Sequence, residues 1–97
     1  MQLKNKRILL TGATGGIGKH IALLLARKGA NLALVGRDIA KLEALVKEIT
    51  AKGGNASMIV ADFEITGIAS QLISQANDIL GGIDILINNA AILDFIQ

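Results

Sequence analysis

The chain has 97 residues, 52% of them hydrophobic, with two aromatics, one histidine, no cysteine, no proline and a formal charge of +2. That length allows a single domain burying about 60–70% of its unfolded surface, and without cysteine it excludes a disulfide framework, thiolate metal clusters and, with one histidine, an ordinary zinc site. The charge is spread along the chain with no basic cluster or interleaved aromatics for stacking bases, so no nucleic-acid partner and no metal are expected, and the lack of cysteine suits a reducing cytoplasm.

Lys4, Lys6 and Arg7 run into an apolar stretch too short for a signal peptide or a membrane span, so no membrane partner is expected either. Arg7 to Thr11 reads as a first strand. After a glycine-rich turn, the 3.6-residue period predicts a helix with Ile17, Ile21 and Leu24 on its inner face, stopped by Gly29. A second strand, Leu32-Ala33-Leu34-Val35, ends at Gly36. Asp38 then reads as the N-cap of a helix with Ile39, Leu42, Leu45, Val46 and Ile49 inward, supported by Glu43–Lys47 and Glu48–Lys52 pairs four residues apart. Gly53-Gly54 ends that helix, and Ser57 to Ala61 forms a third strand. Asp62 leads into a third helix with Ile68, Leu72, Ala76 and Ile79 in register, ended by Gly81-Gly82. Ile83 to Asn88 is the fourth strand, with Asp84 a cap or turn residue at its start. Short strands alternating with crossover helices imply an α/β fold, a Rossmann-like doubly wound parallel sheet of partial extent, βαβαβαβ, in strand order 3-2-1-4.

The turn after the first strand, Thr11-Gly12-Ala13-Thr14-Gly15-Gly16-Ile17-Gly18, carries most of the chemical information. Glycine at 12 permits a turn that a Cβ would oppose, glycine at 16 or 18 permits close approach of a pyrophosphate, and the helix that follows aims unpaired N–H groups at the anion. The rival nucleoside-triphosphate loop, G-x-x-x-x-G-K-[ST], fails. Counting back from Gly18-Lys19 places Ala13 at its first glycine, and His20 stands where a magnesium-binding hydroxyl is needed. A dinucleotide is the expected ligand. His20 itself reads as an ordinary helix residue, and Asp62 with Glu64 as a ligand contact and a helix N-terminal charge rather than a catalytic carboxylate pair.

The T-G-x-x-x-G-I-G run at 11–18, Gly36-Arg37-Asp38 after the second strand, Asp62 after the third, and Asp84-Ile85-Leu86-Ile87-Asn88-Asn89-Ala90 together resemble the N-terminal part of the short-chain dehydrogenase/reductase family. The resemblance spans essentially the whole chain. It implies that Gly12, Gly16 and Gly18 line the pyrophosphate, with Ile17 in the same loop and Thr14 and Gly15 near the adenosine ribose. It further implies that Asp62 bonds the adenine amino group beside the Phe63 backbone, and that Asn89 and Ala90 flank the ribose and nicotinamide side. Ala91 stands where the family usually has glycine. Asn88 and Asn89 read equally well as polar ties between neighbouring strands.

Cofactor choice turns on the end of the second strand, where an acid would grip the ribose 2′-hydroxyl of NAD. Gly36 occupies that position and Arg37 follows it, so NADP(H) is expected over NAD(H). The family's proton transfer uses a Ser and a Tyr-x-x-x-Lys arrangement further along, and this chain has no tyrosine. The expectation is therefore a dinucleotide-binding domain over residues 1–97, truncated before the catalytic segment: the NADP(H)-binding part of an oxidoreductase transferring hydride between nicotinamide and a carbonyl or alcohol, inactive alone and with no catalytic residue of its own. The alternative is a non-catalytic nucleotide-binding module or an interaction module that self-associates through the open edge of the fourth strand.

Overall fold

The computed structural model describes residues 2–61 and 68–89. Its elements, in chain order, are β1 (Arg7–Thr11), α1 (Gly16–Arg27), β2 (Asn31–Gly36), α2 (Ile39–Ala51), β3 (Asn55–Val60), α3 (Ile68–Leu80) and β4 (Ile85–Asn88). The four strands form one parallel sheet in the order β3-β2-β1-β4, as the alternating pattern implies. β1 is central. Its Ile8, Leu9 and Leu10 stand beside Leu32, Ala33 and Leu34 of β2 on one side and Ile85, Leu86 and Ile87 of β4 on the other.

Because successive strand side chains alternate between faces, the sheet divides the core in two. Ile8, Leu10, Leu32 and Leu34 point to the α1 and α2 side, against Ala22, Leu25, Leu42, Leu45 and Ile49. Leu9, Ala33, Val35 and Ile59 point the other way, against Leu72 and Ala76 of α3. Fully buried runs such as Ile8-Leu9-Leu10 need apolar residues on both faces, which is why β1 and β2 read as continuous rather than alternating.

Helix ends follow the local signals. Asp38 caps α2, its Oδ1 accepting the Lys41 N–H at 3.2 Å. Gly29, at φ 88°, ends α1 in a Schellman arrangement, with Gly29 N–H on the Ala26 carbonyl and Ala30 N–H on that of Leu25, 3.0 and 3.2 Å. Glu48 and Lys52 close their ion pair at 3.3 Å.

The expected inner faces need correction. α1 buries Gly18, Ala22 and Leu25, while Ile17 and Leu24 are 50% and 49% exposed and Ile21 only half-buried. The helix packs through Gly18, Ala22 and Leu25, two of them small enough to let its backbone approach β1, so a reading that follows Ile17, Ile21 and Leu24 lands one residue away. Ile39 and Ile79 are also half exposed. Ile39 opens α2 at the rim of the sheet, and α3 packs through Leu72 and Ala76 with Leu80 partly buried, a stripe that leaves Ile79 to one side. The strand bounds shift as well: β3 starts at Asn55 and ends at Val60, and β4 begins at Ile85, after a turn around Asp84.

Candidate functional site

β1 ends at Thr11, and Gly12 turns the chain at φ 64°, a conformation that L side chains rarely adopt. The next residue, Ala13, is fully buried, and its N–H bonds the Val35 carbonyl of β2 at 3.0 Å. That amide is therefore spent on holding the loop over the β1–β2 junction. The first helical bond of α1 runs from Lys19 N–H to the Gly15 carbonyl at 2.8 Å, so the amides of Gly16, Ile17 and Gly18 precede the ladder. Gly15 is the N-cap and offers no side-chain cap, and the first turn carries no acid. An uncompensated helix N-terminus of this kind favours an anion.

The two glycines that sequence spacing treats as equivalent do different work. A Cβ built on Gly16 meets nothing within 4 Å, which leaves its backbone open to a ligand. A Cβ on Gly18 would collide with the Gly12 carbonyl oxygen and lie 2.8 Å from the Gly12 carbonyl carbon and 2.9 Å from Asn89 Nδ2. Gly18 is thus the contact through which α1 packs on the loop. Asn89, 1% exposed, donates from Nδ2 to that same Gly12 carbonyl at 3.1 Å. Next to it, Thr11 Oγ1 donates to Asn88 Oδ1 at 3.0 Å. Both asparagines therefore tie β4 to the β1 end of the loop, the strand-tying role that their polarity at a buried strand end suggested.

On the other side of the loop lies the end of β2. A Cβ on Gly36 would sit 3.2 and 3.3 Å from Cγ2 and Oγ1 of Thr14, so the Thr14 side chain covers the position where an acid would stand. Arg37 follows in the bend before the Asp38 cap, exposed and without an ion-pair partner among the described residues. Thr14 also lines a cavity of about 270 Å³ together with Lys19 of α1 and Lys41, Ala44, Leu45 and Glu48 of α2. Sequence reasoning passed over Lys19 and Lys41. The structure brings Gly12, Thr14, Gly15, Gly16, Ile17, Gly18 and Asn89 into one end of the sheet, with Arg37 at the adjoining strand end; Asp62, Phe63 and Ala90 lie outside the described residues.

At the opposite end of β1, Arg7 grips Asp84 in a fork. Nε and the backbone N–H donate to Oδ2 at 3.0 and 2.8 Å, Nη2 donates to Oδ1 at 3.0 Å, and Nη1 reaches the Gly81 carbonyl at 2.9 Å. These hydrogen bonds hold the Asp84 carboxyl well below the usual carboxylate range and raise the Arg7 guanidinium. Asp84 is structural, as its place before the strand implied. Its partner was not legible, because 77 residues separate the two. Among the described residues no cluster of His, Cys, Asp and Glu could hold a metal ion, and no helix is long and apolar enough to cross a membrane.

The donor set therefore fits the diphosphate of a dinucleotide: an open glycine backbone, a helix start without acid, and a cation beside the next strand end. A family model described as short chain dehydrogenase matches residues 6–97. An uncharacterized oxidoreductase of Listeria monocytogenes is 42% identical over 93 residues, covering 96% of this chain and 38% of its own length. A metagenomic short-chain oxidoreductase in complex with NADP superposes with a TM-score of 0.80 at 32% identity, over 89% of this chain and 39% of that one. An NADH-dependent reductase of alginate metabolism superposes with the same score at 40% identity, over 89% and 35%. The chain thus spans between a third and two fifths of the length of these proteins.

Proposed function

From the premise that this chain belongs to the short chain dehydrogenase family, we propose that residues 1–97 form the NADP(H)-binding part of an oxidoreductase acting between a carbonyl and an alcohol. In this reading Gly12, Thr14, Gly15, Gly16, Ile17 and Gly18 form and shape the diphosphate cradle. Arg37 meets the 2′-phosphate, Asp62 and Phe63 meet the adenine, and Asn89 and Ala90 adjoin the ribose and nicotinamide side. The bound nicotinamide supplies the carbon that gives or takes hydride. The chain's own residues bind and orient it, and without a tyrosine they take no part in moving the proton. The domain is read as cytoplasmic.

The observation that carries this reading is the bare backbone at Gly16 on an acid-free helix start, next to a β2 end where Gly36 and Arg37 replace an acid. A guanidinium on a phosphate gives a charge-assisted bond worth about 1.5–3 kcal/mol, or roughly ten- to a hundredfold in affinity. Calorimetric titration of the wild type should give tighter binding of NADPH than of NADH, and Arg37→Asp should weaken NADPH by that factor with little change for NADH. Equal losses for the two cofactors would remove Arg37 from the site.

A second reading concerns the sheet edge. Among the described residues β4 pairs on one side only, with β1, and Leu86 is 52% exposed. An unpaired apolar edge is a template for association. The chain alone is accordingly read as self-associating, and a monodisperse monomer in sedimentation velocity at high micromolar concentration would exclude that.

A further inference from the structure

We propose that Lys19 and Lys41 form a second cationic wall of the adenosine end and select for the 2′-phosphate, extending the NADP(H) reading on which the proposal rests. Both line the cavity of about 270 Å³ that opens beside Thr14. Thr14 in turn covers Gly36, within 3.2–3.3 Å of where a Cβ would stand, so the cavity and the end of β2 share Thr14 as a common wall.

Their placement at the starts of two helices is the second reason to assign them a ligand. Lys41 is the third residue of α2 and Lys19 the fourth of α1, so both lie at the positive end of a helix macrodipole, where a cation is unfavourable. Neither first turn holds an acid, and the one carboxylate at either helix start is the N-cap Asp38 of α2. Glu48, the carboxylate lining the cavity, is engaged by Lys52 at 3.3 Å, and the Asp38 Oδ1 is engaged by the Lys41 backbone N–H. Neither lysine ammonium has an ion-pair partner among the described residues. Two unpaired cations brought from separate helices to one small cavity, each against its own helix dipole, fit a doubly charged phosphate ester better than they fit the empty fold.

The test uses the full chain and two probes that differ only in the 2′-phosphate, adenosine 2′,5′-bisphosphate and adenosine 5′-monophosphate. Lys41→Ala and Lys19→Ala should each weaken the bisphosphate about three- to tenfold and leave the monophosphate within twofold; Lys41→Arg should retain binding. Melting of the free variants should be unchanged or slightly higher, because an unfavourable charge has been removed. Equal weakening of both probes, or an unaltered bisphosphate affinity in the double variant, overturns the proposal while leaving the NADP(H) reading in place. A wild-type chain that binds the bisphosphate no tighter than the monophosphate overturns that reading itself.

Discussion

At one end of the β1–β4 pair, Arg7 and Asp84 join the strands with a forked ion pair and two backbone contacts; at the other, Thr11–Asn88 and Asn89–Gly12 join them with neutral hydrogen bonds alone. The difference has a physical sense. A fixed carboxylate beside the glycine loop would repel a diphosphate, whereas neutral amides and hydroxyls can hold the loop in place and leave its field positive. Charge is used for fastening where no anion is expected and withheld where one is.

The loop end is the more brittle of the two. Gly18→Ala drives a Cβ into the Gly12 carbonyl and against Asn89 Nδ2, and backbone cannot yield as a flexible side chain can. Overpacking of this kind costs about 1–3 kcal/mol or more, so denaturant melts should show a loss of at least that size and NADPH titration no saturable binding. A variant of native stability would mean that α1 does not sit against Gly12 as described.

The charged end should respond to pH where the loop end does not. The folded-state pKa of Asp84 is depressed, so its contribution to stability is fully present above the ordinary carboxylate value of about 4 and is lost as pH falls below that toward the folded value. Asp84→Asn should lower the melting temperature at neutral pH and leave nucleotide affinity intact, and its gap to the wild type should narrow steadily in melts taken from about pH 4 down to about pH 2. A constant gap down to that pH would show that the pair contributes through something other than its charge.

Gly16→Ala should have the smallest effect on the fold and so marks the contrast with Gly18 most sharply. Its Cβ enters open space at a helical position, where alanine is favoured over glycine by about 0.5–1 kcal/mol, so the melting temperature should rise or stay level. NADPH affinity should nevertheless fall, since on the proposed reading the methyl group would stand where the diphosphate approaches. Unchanged affinity in calorimetry would place the anion elsewhere on the loop.

The order of elements, the parallel sheet and its 3-2-1-4 arrangement, the Asp38 cap and the Gly29 stop were all legible in the chain, because each depends on local periodicity or on one residue's backbone preference. The glycine loop and its place before a helix were legible for the same reason. The division of labour between Gly16 and Gly18 was not. It depends on how closely α1 approaches β1, and that distance is set by Gly18 and Ala22 packing on the loop and sheet, a choice that moves the buried stripe away from Ile17 and Leu24. Arg7–Asp84, Asn89–Gly12 and the cavity shared by Thr14, Lys19 and Lys41 likewise join residues distant in sequence, and such contacts exist only once strands and helices have been brought together. The chain by itself determined which groups could cradle an anion; tertiary packing decided which of them are left open and which are taken up by packing, because orientation is fixed by neighbours that no local pattern contains.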